Sequence, residues 1–340
     1  MVRRLSKLSL LCIAAVVTVT TGCAKKEANS TAFKVALLTP GPISDAGWNA
    51  GAYEGLMRIK DSLGAEVSQV ETKSPAEFEE AFRDYASKGY NLVFGHGFEF
   101  QDAAARVGGD FPNTVFITTS GSTVRPNVSP MVFRLEEGTY LAGMLAGGLT
   151  RSGRIGFVGG IKLPPVEGTY LGFAGGARAV RPGTEALQAY IGNFEDVAAA
   201  KENALAQIRR GADILIHNAD AASFGMFQAV RESPGVLAIG ANKDQNALAP
   251  DVIVASATLD VPRALLLVAR AVHDQRFLPG VMFFGIKDGV VDLVYNNALA
   301  ARVPTALRSR IAAARDSIIA GTLTPPRVEF VHDSVPVARP

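Results

Sequence analysis

Short apolar runs alternate with stretches of helical apolar spacing along most of the chain, in two successive series. The first series consists of apolar runs at 34–39, 66–70, 92–94 and 114–118 and helical stretches at 49–62, 75–88 and 100–107. The second consists of helical stretches at 139–149, 169–180, 197–210 and 224–231 and apolar runs at 154–158, 186–191, 214–217 and 237–240. Such alternation predicts parallel sheets covered by helices on both faces. The expected fold class is α/β, with two doubly wound parallel-sheet lobes.

The start of the chain has the pattern of an export signal. Basic residues at positions 3, 4 and 7 precede an apolar run at 8–19, which is too short to span a bilayer as a mature helix. The run ends in Thr20-Thr21-Gly22-Cys23, which resembles a bacterial lipobox, although Thr20 stands where Leu is commonest. We therefore expect a signal peptide at 1–22 and lipidation of Cys23. The alternative is a plain secretory peptide with an incidental cysteine.

Charge and cysteine content limit the possible partners. The 34 basic and 32 acidic residues are intermixed and give a net charge of +2, so a nucleic-acid partner is not expected. Of the two cysteines, Cys12 lies inside the signal and Cys23 at its end, so the mature chain has no internal disulfide. Its stability must come from core burial, for which a hydrophobic content of 48% in 340 residues suffices.

Polar and aromatic residues follow the predicted strands in both series. In doubly wound sheets, the loops at the carboxyl ends of the strands line the binding crevice. These loops contain Asp45, Trp48, Asn49, His96, Phe98, Phe194 and Asp220. Trp48, the only tryptophan, either packs as core or stacks on a flat ligand, and these alternatives are evenly balanced. The sequence therefore predicts a ligand cleft between the lobes.

Enzyme signatures are missing from the sequence. There is no P-loop, no Gly-x-Ser-x-Gly elbow and no Gly-x-Gly-x-x-Gly opening a helix. Gly159-Gly160 is soon followed by Pro164 and Pro165, which we interpret as opposing helix initiation at that turn. The four histidines are scattered without metal-ligand spacing. We expect no enzymatic activity, no metal and no cofactor.

Several blocks of the sequence resemble, in order, the basic membrane protein family of lipoprotein receptors. The blocks are 42–49 (Pro-Ile-Ser-Asp-Ala-Gly-Trp-Asn), 94–100, 133–143, 211–215, 240–251 and 285–290. The resemblance implies the type I periplasmic binding protein fold and a role as the purine nucleoside receptor of an ABC importer. It also implies that the purine lies between aromatic rings, with carboxylate and amide groups reading the base and sugar.

Individual site residues follow from this resemblance. Asn49 matches the family's Asn in the first loop, and Phe194 matches an aromatic residue of the second lobe that stacks on the base, although ordinary strand-end packing remains the alternative for Phe194. Glu136 is a candidate for hydrogen bonding a base amino group, whereas Glu137 is expected to cap the helix that starts near Thr139.

Two departures from the family pattern concern the sugar. Asn242 stands where many members have Asp, and Leu259 where many have Lys. Both charged groups are associated with the nucleoside's sugar, so the choice between base and nucleoside stays open. His217-Asn-Ala-Asp220 is similar to a segment of base-binding relatives, but a satisfied strand-end histidine is the favoured interpretation of His217.

These features together define the expected organisation. A linker at 23–33 follows the signal peptide, lobe 1 comprises 34–133 plus 258–281, lobe 2 comprises 134–257 plus 282–330, and 331–340 is a tail. The expected function is that of a monomeric substrate-binding lipoprotein of the bacterial cell envelope, which binds a purine base or nucleoside and delivers it to an ABC permease. It would be held at the membrane by its lipid alone. The alternatives are an envelope-exposed α/β enzyme acting on nucleosides and a sensor lipoprotein without a permease.

Overall fold

The computed structural model describes residues 32–331 and 336–339, so the predicted signal peptide and Cys23 lie outside the described residues. Within this part, the strands form two six-stranded sheets. The first sheet has the order β11-β5-β4-β3-β1-β2 and is parallel throughout. Its strands are β1 (Lys34–Thr39), β2 (Glu66–Glu71), β3 (Leu92–Gly95), β4 (Val115–Thr119), β5 (Val128–Phe133) and β11 (Met282–Phe284).

The second sheet has the order β12-β10-β9-β8-β6-β7, in which only β12 runs antiparallel to its neighbour. Its strands are β6 (Arg154–Gly159), β7 (Glu185–Tyr190), β8 (Ile214–Asn218), β9 (Leu237–Asn242), β10 (Ile253–Leu259) and β12 (Val291–Tyr295). The predicted α/β class with two doubly wound lobes is therefore confirmed. The predicted strands of both series lie within a residue or two of their expected bounds.

Helices cover the sheets. They are α1 (Trp48–Leu63), α2 (Pro75–Ser87), α3 (Gln101–Gly108), α4 (Leu135–Leu149), α5 (Pro164–Val180), α6 (Val197–Arg209), α7 (Ser223–Arg231), α8 (Val261–His273) and α9 (Thr305–Ile319). None of the helices in the described residues is both long enough and apolar enough to cross a membrane. Ser74 caps α2 by accepting a hydrogen bond from the backbone N–H of Glu77.

The start of α5 corrects the sequence analysis. Pro164 and Pro165 open this helix rather than oppose it, and they place its first turn at the cleft. Proline is well suited to a first helical turn, because the missing N–H would have no intrahelical partner there. Behind this turn, α5 packs closely on α4, where a Cβ on Gly176 would lie 1.9 Å from the backbone oxygen of Tyr140. Glycine therefore allows the close approach of the two helices.

The chain crosses between the lobes three times, after β5, after β10 and after β11. Residues 282 onward are expected in lobe 2, but Met282–Phe284 pairs with Val128–Phe133 in the first sheet. That assignment is wrong for this strand, because the hydrogen bonds of β11 complete the edge of lobe 1. The tail also contributes to this edge, since Val281 and Val337 form a bridge. Three adjacent crossings form the hinge.

Candidate ligand-binding site

The carboxyl ends of the strands in the two lobes face each other across an inner cavity. Four aromatic side chains line the cavity: Trp48, Phe98, Phe133 and Phe194. Its polar side chains are Glu99, Ser120, Asn218, Asp220 and Asn242. Among the described residues that line this cavity, none is Lys or Arg.

Most of the predicted site residues come together around this cleft. Five of them line the inner cavity: Trp48, Phe98, Phe194, Asp220 and Asn242. Asp45 and Asn49 line an adjoining outer cavity, which shares Pro40, Leu163, Phe194, Glu99 and Asp220 with the inner one. His96 and Glu136 line neither cavity. The outer cavity therefore forms the mouth of the inner one.

The Trp48 ring packs against other side chains of lobe 1, and the residue also lines the inner cavity. Its ring stacks on His96 with a centroid separation of 3.9 Å, and its Nε1–H donates to the His96 carbonyl oxygen at 3.3 Å. The rings of Trp48 and Phe133 meet edge to face, with 5.7 Å between their centroids. The two alternatives for Trp48 are thus not exclusive, because packing fixes the ring that a ligand would meet.

His96 supports Trp48, which corrects the expectation that it touches ligand. It is fully buried, and its Nε2–H donates to the Trp48 carbonyl oxygen at 3.0 Å, leaving Nδ1 to accept from the Thr119 hydroxyl at 3.3 Å. Burial lowers the pKa of His96 to about 3, so the ring is neutral. Both ring nitrogens are used, and none faces the cavity.

The loop before α1 is organised by Asp45. Its carboxylate accepts hydrogen bonds from the backbone N–H groups of Gly47 at 3.0 Å, Asn49 at 2.7 Å and Ala50 at 2.9 Å. These contacts satisfy N–H groups that the start of a helix leaves without partners. Asn49 is also buried, and its Oδ1 has no partner among the described residues. Asp45 therefore fixes the loop, and Asn49, which lines the outer cavity, has a buried side-chain acceptor without a partner among the described residues.

Phe194 is the aromatic contribution of lobe 2. The side-chain oxygen of Asn193 accepts from the N–H groups of Glu195 at 2.9 Å and Asp196 at 2.7 Å, and Ala222 N–H donates to the Phe194 carbonyl. The ring lies over Gly160, where a Cβ would be 2.2 Å from its Cδ1 atom. A glycine at position 160 is thus required for the observed position of the ring.

Asp220 and Asn242 are held in left-handed backbone conformations at two strand ends, with φ of +44° and +67°. Asp and Asn tolerate this region better than most residues. Asn242 Nδ2 donates to Asn218 Oδ1 at 3.3 Å, and Asn218 Nδ2 donates to Thr169 Oγ1 at 2.8 Å. Asp220 is only 6% exposed, and burial, followed by the nearby charges of Asp45 and Glu99, raises its pKa well above the usual range.

The sequence matches the family model described as ABC transporter substrate-binding protein PnrA-like over residues 32–322. The chain belongs to this family. The PnrA-like family consists of substrate-binding proteins rather than enzymes, in agreement with the absence of enzyme signatures. In the part of the chain that the structure describes, no group of His, Cys, Asp and Glu side chains could hold a metal ion.

Individual PnrA-like relatives extend the comparison. "Basic membrane protein A2" of Borrelia garinii subsp. bavariensis is 30% identical over 77% of this chain and 80% of its own length. "ABC transporter nucleoside-binding protein BmpA" of Lactococcus lactis subsp. cremoris is 27% identical over 96% of this chain and 99% of its own length. "Transcriptional activator protein med" of Bacillus subtilis is 25% identical over 84% of this chain and 89% of its own length.

Solved structures agree with the type I periplasmic binding protein fold expected for a PnrA-like protein. A solute-binding protein of an ABC transporter system from Aeropyrum pernix covers 89% of this chain and 95% of its own, with a TM-score of 0.81 and 21% identity. A solute-binding protein of an ABC transporter system from Conexibacter woesei covers 87% of this chain and 99% of its own, with a TM-score of 0.72 and 28% identity. The predicted fold is thus confirmed.

Two glutamates at the hinge differ from the expectation for this PnrA-like chain. Helix α4 begins at Leu135, and Glu137 does not cap it; its carboxylate accepts from the Ile286 N–H at 2.7 Å and so ties two interlobe crossings together. Glu136 lies away from the cleft and lines a different cavity, which Arg327 also lines. Its position corrects the expectation of ligand contact. Burial raises the pKa of Glu136 to about 7.

His217 is buried near the end of β8, and its Nδ1 has no hydrogen-bond partner among the described residues, so the interpretation as a satisfied strand-end histidine holds for only one ring nitrogen. Its Nε2 bonds to Gln245 Oε1 at 2.8 Å, and burial lowers its pKa to about 4. Gln245 in turn donates from Nε2 to the carbonyl oxygen of Ala46 in the other lobe at 3.2 Å. Ion pairs between Lys73 and Glu195, at 3.6 Å, and between Lys243 and Glu54 also join the lobes. The lobes are therefore in a closed arrangement.

Sequence reasoning missed Glu99 and Asn218, which both line the inner cavity. Asn218 is the last residue of β8, and a polar side chain at the carboxyl end of a buried parallel strand is the signal that would have identified it. Glu99 lies in a short 3-10 helix (Phe98–Phe100) beyond the end of β3, where no strand-end signal indicates it.

Proposed function

We propose that this chain is the substrate-binding protein of an ABC importer and that it binds a purine base or nucleoside between its lobes. The observation that carries the proposal is the placement of Trp48 on lobe 1 and Phe194 on lobe 2 around one cavity. Aromatic faces from two lobes suit a flat heteroaromatic ligand. The printed name of the Lactococcus lactis relative, a nucleoside-binding protein, supports the ligand class.

The two lobes explain how binding would be signalled. A ligand in the cavity touches both lobes, so it stabilises the closed state by contacts that the open state does not make. The ABC permease would recognise the closed protein. We further propose that the chain acts as a monomer at the bacterial cell envelope, outside the cytoplasm, and that it is attached through a lipid on Cys23.

The cavity wall supports a limited role for the sugar. Asn242 and Leu259 both line the inner cavity, and neither carries a charge. A site built on charged contacts to sugar hydroxyls would strongly reject a ligand that lacks them, because its buried polar groups would lose their partners. With an amide and an aliphatic side chain at these positions, removal of the ribose leaves fewer buried polar groups without a hydrogen-bond partner. Free bases are therefore proposed as ligands alongside nucleosides.

A sensor without a permease is the second candidate, because one relative carries the name of a transcriptional activator. The direct test is native mass spectrometry of the protein purified with its bound ligand. Our proposal expects the mass of an unmodified purine base or nucleoside, released unchanged after incubation. A ligand outside the purine class would contradict the proposal, and release of a cleaved product would support an enzyme instead. Uptake of that purine in cells lacking the chain distinguishes an importer subunit from a sensor.

A further inference from the structure

The C-terminal segment, by which we mean residues 323–331 and 336–338, begins on lobe 2 and reaches lobe 1. The helix before it, α9, packs against α4 of lobe 2. Pro326 then lies on α5 of the same lobe, where a Cβ added to Gly175 would be 2.8 Å from the Pro326 Cγ atom. Four residues later, the ring of Phe330 meets the ring of Phe98 in lobe 1 edge to face, with 5.7 Å between the centroids.

The end of the C-terminal segment is fixed to the edge of lobe 1. The Val281 N–H donates to the carbonyl oxygen of Pro336 at 2.7 Å, and the Ala338 N–H donates to the carbonyl oxygen of Val281 at 2.9 Å. Ala338 is buried and packs with the core, whereas Val337 between them is 68% exposed. The C-terminal segment is therefore a fourth connection between the lobes, in addition to the three crossings of the hinge.

Between these two attachments, the C-terminal segment is held by packing. Among the described residues, 324–331 form no backbone-to-backbone hydrogen bond, and Pro325 and Pro326 restrict the backbone at the start. Residues 327–331 line a cavity behind the hinge, which we call the hinge cavity. The hinge cavity shares Phe133 and Pro165 with the inner cavity, which 327–331 do not line. The C-terminal segment thus lies behind the wall of the candidate site.

Phe98 is the residue of that wall which the C-terminal segment contacts. It opens the short 3-10 helix Phe98–Phe100, whose last ring is fully buried against Phe78 and Phe82 within lobe 1. The Phe98 ring is only partly buried, and among the described residues the aromatic ring that packs on it is that of Phe330. A side chain that is already held in place loses less conformational freedom when a ligand binds. The contact with Phe330 therefore matters to the ligand.

We propose that Phe330 is a positioning residue of the ligand site, which holds the Phe98 ring at the wall of the inner cavity from behind the hinge, and that the fourth connection keeps Phe330 in place. This inference rests on the proposed function and deepens it. Because Phe330 lies on a segment attached to both lobes, its contact with Phe98 links the aromatic wall to the closed arrangement.

The first arm of the test is a double-mutant cycle. Calorimetric titration with adenosine, guanosine, inosine and their free bases compares the unaltered chain with Phe330→Ala, Phe98→Ala and the double variant. Phe330→Ala should weaken purine binding about 2- to 10-fold, the range expected for one edge-to-face aromatic pair. In the Phe98→Ala background it should have almost no further effect, because the ring that it positions is gone.

Two further variants separate positioning from general stability. Phe330→Leu keeps an apolar side chain against Phe98 and should recover part of the affinity that Phe330→Ala loses. Phe283→Ala is the matched control, because it removes another ring of the hinge cavity, which packs under the Arg134 guanidinium at 4.7 Å. Its effect on binding should be the same with and without Phe98. Thermal unfolding reports whether each variant is folded.

The second arm releases the far end of the C-terminal segment. Ala338→Asp places a charge at a buried position, so the Val281 N–H should lose its protection from hydrogen exchange. Purine binding should weaken about as much as in Phe330→Ala, because a segment held only at α9 must be ordered before Phe330 contacts Phe98. Val337→Asp is the matched control, since the same charge at this exposed neighbour should leave exchange and binding unchanged.

The outcomes distinguish the inference from the proposed function. Unchanged purine affinity in folded Phe330→Ala, or additive losses in the double variant, would overturn the role of Phe330. Full affinity in Ala338→Asp with an unprotected Val281 N–H would show that the fourth connection does not serve the site. Failure of the unaltered chain to bind any of the six purines would reject the proposed function, and the positioning role with it.

Discussion

Substitution of Gly160 by alanine provides a sharp test of the role of Phe194. A Cβ at position 160 would lie 2.2 Å from Cδ1 and 2.3 Å from Cε1 of the Phe194 ring, and 2.9 Å from the backbone oxygen of Asn193. Ordinary contacts begin at 3.4 Å, so the ring has to move by roughly 1 Å or more. The ring cannot keep its present position at the cavity.

The expected effect follows from this displacement. A stack between an aromatic side chain and a base contributes about 1–3 kcal/mol, and a gap of up to 1 Å forfeits roughly a quarter to a half of a dispersion contact. Gly160→Ala should therefore weaken purine binding by about 0.3–1.5 kcal/mol, or roughly 2- to 10-fold. Phe194→Ala, which removes the whole stack, should cost about 1–3 kcal/mol.

Calorimetric titration of both single variants and of the double variant with a purine measures how far the effects of Gly160→Ala and Phe194→Ala on the binding free energy depend on each other. If Gly160 acts through the ring, then Gly160→Ala should have almost no further effect in the Phe194→Ala background. Gly183→Ala is the matched control on the same lobe, because nothing lies within 4 Å of its added Cβ. Additive losses in the double variant, or no loss in either single variant, would refute the assignment of Phe194 to the ligand.

The other predictions concern the anchor, the first-lobe aromatic residue and the hinge. Cys23→Ser should move the mature chain from the membrane fraction to the soluble fraction; full retention in the membrane would contradict lipidation. Trp48→Ala should weaken purine binding by about 1–3 kcal/mol without unfolding the protein, and unchanged affinity would reject stacking. The raised pKa of Glu136, about 7 against a usual 4.5, means that its neutral form stabilises the fold at low pH, and this contribution is lost as pH rises from 4.5 through 7. Relative to Glu136→Gln, the free energy of unfolding should thus fall by about 1–3 kcal/mol over that range; parallel pH profiles would contradict this.

The fold was largely predictable because a parallel strand buried on both faces must be apolar along most of its length. In β1, every residue but the first is buried, and its run of aliphatic residues is visible in the sequence. The short strand Met282–Phe284 has only three residues, which is too few to show a period. Its place in lobe 1 depends on pairing with β5, a contact about 150 residues distant in the chain.

The candidate site was predictable to the level of loops but not of side-chain direction. Trp48 and Phe194 could be placed at one cavity because the carboxyl ends of parallel strands share an edge. Whether His96 faces the ligand or supports Trp48 depends on its hydrogen bond to the Trp48 carbonyl and on its ring stacking, which no local pattern encodes. Glu136 lies away from the cleft because α4 begins at Leu135, earlier than expected, which changes the direction of each residue in its first turn.

We propose that the cavity between the lobes binds a purine. Calorimetric titration of the mature chain with adenine, guanine and hypoxanthine, and with adenosine, guanosine and inosine, tests it most directly. We predict one-to-one binding of at least one purine, with free bases within about tenfold of their nucleosides, a difference of roughly 1.4 kcal/mol. Nucleosides that bind far more tightly than every base would show that a sugar-centred grip exists despite Asn242 and Leu259. No binding of any of the six compounds would contradict the claim itself.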